Sequence, residues 1–353
     1  MSKRKIAVIF GGCSPEYSIS LQSAYNVITH LDSEKYEVLM LGITRSGEWR
    51  YFTGATEKII ADTWHDSADC RQAIISPDRA VHGVVIFEQN QPRSIRLEAA
   101  LPVLHGKNGE DGTVQGLLEL AGIPIIGCKT LASALCMDKD KAHKIAAAAG
   151  VRAARSFTLR QQTAAADYAA QADDLGYPLF VKPLKAGSSL GITRVLSADG
   201  LSDAVKLAFA YDDEIIIEES VAGYEVGCAI LGTDSLITGC IDEIELSGGF
   251  LDYQEKYHTQ TTVFHVPARI SEEKAAEITT VAKTIYTALG CSGFARVDMF
   301  LTPSGEILFN EVNTIPGFTA HSRFPNMLKA IGMTFDQVID MIVELAIDGA
   351  MGE

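Results

Sequence analysis

Residues 6–10, Ile-Ala-Val-Ile-Phe, form an unbroken apolar run, the pattern of a strand buried on both faces. Gly11-Gly12 turns the chain, and Leu21, Ala24, Ile28 and Leu31 then recur at helical spacing. Tyr36–Ile43 is a second strand. Strand, Gly turn, helix and strand make a βαβ unit, which predicts a parallel sheet. Residues 84–87, 101–104 and 123–126 are expected to extend it. The stretch 49–79 is polar and uneven and predicts no element.

Further along, residues 138–149 are helical, with Asp138 as N-cap and Gly150 at the C-terminal end. Residues 177–193 predict strand, Gly/Ser loop, strand. Residues 214–219, 228–231 and 237–240 predict strands, and 242–262 breaks pattern as a long irregular segment of the kind that serves as a lid. Ser271 opens a helix with stripe Ile278, Val281, Ile285 and Leu289, closed at Gly290. The last helix starts at a capping box, Thr334-x-x-Gln337, and carries Phe335, Val338, Ile342 and Leu345 on one face.

The sharpest pattern is a hairpin. Residues 295–301 and 306–313 are rich in apolar and aromatic residues, and Pro303-Ser304-Gly305 between them is turn chemistry. A turn centred between Ser304 and Gly305 sets Asp298 opposite Glu311 and Arg296 opposite Asn313. Alternation puts these four polar groups on one face. The other face pairs Val297 with Val312 and Leu301 with Leu308. Opposed carboxylates repel. A hard divalent cation held by Asp298, Glu311 and Asn313 would remove that cost. From the hairpin alone, a metal site and a solvated charged face stand level.

Composition narrows the classes. The 353 residues are 47% hydrophobic and 21% charged, a globular profile with room for two or three domains. A net charge of −15 argues against a nucleic-acid or anionic-membrane partner. Seven cysteines without a C-x-x-C pair suit free thiols in a reducing cytoplasm. The apolar run after the basic start is too short for a signal peptide, and no stretch is long enough to span a bilayer. A cytoplasmic protein is the expectation.

Ligands of parallel sheets gather at the carboxyl ends of the strands. Two loops fall there, Gly11-Gly12-Cys13-Ser14-Pro15-Glu16 and residues 105–112, His-Gly-Lys-Asn-Gly-Glu-Asp-Gly. The first is not a dinucleotide fingerprint. Locally, Glu16 is best explained by the dipole of the helix it precedes. Lys182 lies in an apolar strand and needs a partner; Gly187, Ser188, Ser189 and Gly191 after it make an anion nest, so phosphate binding is favoured over a plain hairpin. No P-loop motif is present.

Together these motifs carry a resemblance. Val-Lys-Pro with Gly-Ser-Ser-x-Gly (181–191), and Arg-x-Asp with Glu-x-Asn-x-x-Pro-Gly (296–317), resemble the ATP-grasp enzymes. Gly-Gly-x-Ser-x-Glu (11–16), Leu-His-Gly-x-x-Gly-Glu-Asp-Gly (104–112), Met-Asp-Lys (137–139) and Glu-Lys-Tyr (255–257) resemble the D-alanine–D-alanine ligases among them, nearly end to end. The resemblance implies an α/β and α+β chain with a three-domain ATP-grasp fold. An N-terminal Rossmann-like domain (1–127) would precede a central subdomain (128–217) and a catalytic domain (218–353) carrying the lid 242–262. Lys139 and Lys182 would contact ATP phosphates, with Ser188 and Ser189 closing over them. Glu219 would hold adenine and Glu225 ribose, with Glu218, Val221 and Lys256 in the same pocket. Asp298, Glu311 and Asn313 would hold Mg²⁺, or Mn²⁺ in its place. Glu16 would bind the ammonium of the first D-alanine, Tyr257 would orient substrate through Ser188 and Glu16, and Arg296 with the Gly317 N–H would stabilise the oxyanion. His105, Asp252, Ser322 and Arg323 would face substrate. A homodimer is implied.

Two departures bear on the second substrate. The usual ligases carry Leu or Met where this chain has Arg323, and many have Glu where it has Ala186. Both features resemble the glycopeptide-resistance ligases. D-lactate-using members tend to replace the lid tyrosine by histidine, whereas Tyr257 is kept here, so the match is to D-alanine–D-serine ligases. A guanidinium can donate to a serine hydroxyl directly or through Asp252, and a site built for a hydroxyl discriminates against substrates without one. The alternatives are an ordinary D-alanine–D-alanine ligase, with Arg323 turned to solvent or a carboxylate, and a nucleotide-binding regulator with a dead site.

Overall fold

The computed structural model describes residues 3–66, 68–88, 91–163, 165–187, 190–246, 262–319 and 321–351. Three sheets organise them. In the first, Arg4–Gly11 pairs in parallel with Tyr36–Ile43 on one side and Ala99–Val103 on the other. The βαβ expectation holds for these strands, but the sheet is not parallel throughout. Trp49–Phe52, Cys70–Ile75, Gly83–Glu88 and Gln91–Arg96 follow as an antiparallel meander. Residues 84–87 therefore join the sheet against the expected direction. Two of these strands and the short helix Glu57–Ile60 lie in the stretch 49–79, where none was expected. Its polarity is that of a half-exposed antiparallel surface: Cys70–Ile75 buries only Ala73 and Ile75 deeply. Residues 123–126 contribute only a bridge from Ile125 to Ala100.

The second sheet is antiparallel, in the order Thr193–Val195, Leu179–Pro183, Glu214–Glu219, Ser156–Arg160. The expected boundary after residue 217 falls inside one of its strands. The third is also antiparallel, in the order Thr262–His265, Asp242–Leu246, Tyr224–Leu231, Phe294–Leu301, Ile307–Asn313, with Ile237–Thr238 beside Tyr224–Leu231. Residues 242–246 and 262 are thus ladder residues, not lid; 247–261 lie outside the described residues.

The hairpin has the expected pairs at its open end: Arg296 opposite Asn313, Val297 opposite Val312, Asp298 opposite Glu311. Nearer the turn the register differs, and Leu301 faces Ile307, not Leu308. A bulge between Asp298 and Met299 makes up the difference, with Asn310 as the extra residue.

The cores link these layers. One face of the first sheet packs against the helices Arg323–Lys329 and Phe335–Met351, joining Phe10 and Leu101 to Phe324, Val338 and Ile342. The third sheet packs on Lys139–Ala148 and Glu272–Ala288. The caps form as predicted. Asp138 accepts from Lys141 N at 3.1 Å, Ser271 from Lys274 N at 3.3 Å, and the Thr334–Gln337 box closes with bonds of 2.9 and 3.3 Å.

Candidate active site

The polar face of the hairpin opens onto two adjoining cavities. One, of about 180 Å³, lies between the second and third sheets and is lined by Phe180, Lys182, Glu218, Val221, Phe300 and Asn310 among others. The other, of about 300 Å³, reaches the loops of the first sheet at Glu16, His105 and Glu110. Lys139, Gly187, Arg296, Glu311 and Arg323 line both.

At the smaller cavity, Lys182 Nζ meets Glu218 Oε2 at 2.5 Å, and both residues are buried. The partner that the apolar strand demands for Lys182 is therefore a carboxylate of the neighbouring strand. Burial works against the Glu218 charge, but Lys182 and His143 outweigh it and hold its pKa below the usual carboxylate value. Lys139 Nζ donates to Ala186 O at 3.0 Å and lies 3.9 Å from Glu311 Oε2. Both lysines line this cavity. The Glu219 carboxylate is taken by Arg155, with bonds of 2.9 Å from its N and 2.7 Å from its Nε. That leaves the Glu219 backbone, not its side chain, for any base contact.

The hairpin face holds a charged network. Arg296 Nε and NH2 donate to Asp298 at 2.8 and 2.7 Å, and Asn313 Nδ2 donates to Asp298 at 2.8 Å. Arg323 is also drawn into this face. Its Nε and NH2 grip Asp242 at 2.7 and 2.8 Å, and its NH1 reaches Glu225 at 2.5 Å and lies 3.3 Å from Asp298. Burial disfavours the Arg323 charge, yet Asp242 and Asp298 keep its pKa well above the ordinary value. The guanidinium does not turn to solvent. Gly227 makes room for the pair: a Cβ there would lie 2.5 Å from Arg323 NH2 and 2.7 Å from Asp242 Oδ1.

The set suits a hard cation. Among the described residues no three His, Cys, Asp or Glu side chains converge as a ready cage. Asp298, Glu311 and the Asn313 amide oxygen are the residues that would hold such an ion, oxygen donors of the kind Mg²⁺ takes.

At the larger cavity Glu16 is buried at the N-terminal end of the helix Tyr17–His30. The phosphate-loop backbone comes close to it, since a Cβ on Gly187 would stand 2.9 Å from Glu16 Oε2. His105 is buried; its carbonyl accepts from Ser14 Oγ at 2.6 Å. Gly317 sits against Ser322, which directly precedes the helix Arg323–Lys329 and whose hydroxyl accepts from Thr319 N at 3.0 Å instead of capping that helix. Ser188, Ser189, Asp252, Lys256 and Tyr257 lie outside the described residues.

Three residues here escaped the sequence reading. Glu110 ties two loops together, accepting from Gly106 N at 2.9 Å and from Ile315 N at 3.3 Å. Desolvation, together with Glu16, pushes its pKa up to about 8 against those bonds. Its place in the Gly-Glu-Asp-Gly motif was the available signal. Asp242 was assigned to the irregular segment, and its strand position is visible only in the ladder. His143 had no signal beyond its helix.

Comparison with known proteins fixes the family. The model of the D-ala D-ala ligase N-terminus matches residues 5–128, and that of the C-terminus matches residues 145–344. This chain belongs to the D-alanine–D-alanine ligase family. It is an ATP-dependent ligase with the ATP-grasp fold. The crystal structure of VanG D-Ala:D-Ser ligase from Enterococcus faecalis matches with a TM-score of 0.91 and 52% identity over 98% of this chain and 100% of that one. A Streptomyces coelicolor protein, provisionally named a D-alanine–D-lactate ligase, is 44% identical over 99% of this chain and 100% of its own length. The D-alanine–D-alanine ligase of Caldicellulosiruptor bescii is 40% identical over 99% and 96%. Among the described residues of the ligase, no helix is long and apolar enough to cross a membrane.

Proposed function

We propose that this ligase joins D-alanine to D-serine, using ATP and Mg²⁺, to supply a peptidoglycan precursor of the glycopeptide-resistance type. The first D-alanine, its ammonium at Glu16, presents its carboxylate to the γ-phosphate. The new P–O bond replaces the one to ADP and gives an acyl phosphate. The amine of the second amino acid, having lost a proton, attacks the acyl carbon, and phosphate leaves. Lys139 and Lys182 face the transferring phosphoryl group. Arg296 and the Gly317 N–H serve as oxyanion donors. Asp298, Glu311 and Asn313 would hold Mg²⁺, which would supply charge compensation for the transferring phosphoryl group. Excluding water protects the acyl phosphate, a role that fits residues 247–261.

The observation that carries the choice of D-serine is Arg323, a largely enclosed cation, its side chain 9% exposed, on the wall shared by both cavities. An aliphatic residue at this position would leave a serine hydroxyl unpaired; the Arg323–Asp242 pair offers it both a donor and an acceptor. A D-serine-adding relative at 52% identity supports the same reading. One observation favours plain D-alanine–D-alanine ligation: each Arg323 nitrogen already has a carboxylate nearby, so the hydroxyl must share the guanidinium. The test is ADP release with D-alanine alone and with equal D-serine, the product identified by mass. Wild-type enzyme is expected to yield mostly D-alanyl-D-serine, and Arg323→Met to shift the product ratio toward D-alanyl-D-alanine by about tenfold. An unchanged ratio in the variant would remove Arg323 from the specificity argument.

A further inference from the structure

Arg323 has two kinds of partner. Its Nε and NH2 grip Asp242, which is fully buried and lines neither cavity. Its NH1 stands 2.5 Å from Oε1 of Glu225, a residue that lines the smaller cavity and not the larger. The ladder sets this up. Gly227 is opposite Asp242 on one neighbouring strand and Asp298 on the other, and Glu225 precedes it by two residues on the same face. The guanidinium lies over Gly227, with one end fixed by the Asp242 fork and the other on Glu225. Glu225 Oε2 accepts no hydrogen bond among the described residues, and the side chain is 19% exposed.

We propose that Glu225 is a positioning residue for the second substrate, through which the sugar of the bound nucleotide sets the preference for D-serine. The proposal rests on the D-serine reading of Arg323 and on a nucleotide in the smaller cavity. Arg323 already balances the Glu225 charge, so the free oxygen calls for a neutral donor. Apart from the amino group of its base, ATP carries neutral donors only on its ribose. A ribose hydroxyl that donates to Oε2 draws charge from Oε1 and loosens its hold on NH1. NH1 then donates to the serine hydroxyl, while Asp242 keeps the guanidinium in place. Without the nucleotide hydroxyl, Glu225 keeps NH1 and the serine hydroxyl goes unpaired. Nucleotide and second substrate thus divide Glu225 and Arg323 between them, which relieves the competition for the guanidinium.

The experiment compares ATP with 2′-deoxy-ATP and 3′-deoxy-ATP, each at saturation, with equal D-alanine and D-serine. The ratio of D-alanyl-D-serine to D-alanyl-D-alanine is read by mass. The wild-type ligase is expected to lose about fivefold in this ratio with one or both analogues, beyond any rise in their KM. Glu225→Gln presents a neutral acceptor to NH1 whichever sugar is bound, and is expected to give one ratio with all three nucleotides. Wild-type ratios that are equal or higher with both analogues overturn the proposal, even where KM rises, because the sugar then binds without freeing Arg323. So does a sugar dependence that survives in Glu225→Gln or in Arg323→Met. Failure of the underlying readings looks different. A wild-type enzyme that makes no D-alanyl-D-serine with ATP overturns the D-serine reading, and ADP that fails to bind in calorimetry overturns the nucleotide reading.

Discussion

Asp298 is 1% exposed and is held by Arg296 and Asn313, whereas Glu311, directly opposite, is only half-buried and has Lys139 at 3.9 Å. The two carboxylates should therefore respond differently to neutralisation. Glu311→Gln is expected to cut D-alanine-dependent ADP release by on the order of 10²-fold or more at saturating Mg²⁺, with an unaltered melting curve. Near-normal turnover would contradict its assignment as a metal ligand. Asp298→Asn should lose activity and also stability, by roughly 3 kcal/mol, because Arg296 and Arg323 lose a buried counter-charge. Glu110 gives a pH signature. Its folded pKa, raised to about 8, exceeds the ordinary carboxyl value of 4.5, so the folded state holds the extra proton between them. That contribution is complete below the ordinary value and is lost as pH rises toward 8. The stability of the wild-type ligase relative to Glu110→Gln should accordingly fall from pH 5 to 8 and level off above, as followed by thermal melting. A pH-independent difference would mean that Glu110 does not titrate in this range.

Among elements, the hairpin shows what local pattern can and cannot fix. Alternation correctly gathered Arg296, Asp298, Glu311 and Asn313 on one face. The turn centre was misplaced, and the bulge at Asn310 restored the expected register beyond it. The only trace of the bulge in the apolar–polar pattern is the adjacent polar pair Asn310-Glu311, which does not say which of the two lacks a partner. The capping boxes and Gly stops were legible because their hydrogen bonds join residues three apart in sequence. Thr334→Ala should cost about 1 kcal/mol in unfolding free energy, as the last helix loses its reciprocal cap, without moving KM for ATP. A changed KM would tie that helix to the site. The antiparallel meander of the first sheet was missed because a half-exposed strand has a short, diluted apolar signal.

Across the molecule, the last helix is tied back to the first sheet. Tyr36 OH stands 2.7 Å from Asp340 and 2.9 Å from Glu344, while Lys35 pairs with Asp340 at 2.7 Å and Arg4 with Glu344 at 2.6 Å. Tyr36 is buried, so its hydroxyl contributes more than the exposed pairs around it. Tyr36→Phe should lower stability by about 1 kcal/mol and leave the product ratio intact. A changed ratio would show that this clamp reaches the active site.

The sequence by itself determined the periodic elements, the caps, the polar face of the hairpin and, through the order of its motifs, the family. Each of these is written in short-range chemistry or in an unbroken string of residues. The tertiary structure alone decided the partners: Glu218 for Lys182, Arg155 for Glu219, Asp242 and Glu225 for Arg323, and Asn310 for His143. These residues are far apart along the chain or on neighbouring strands. A buried charge must find some counter-group, but only the packing of sheets and helices selects which one lies within reach.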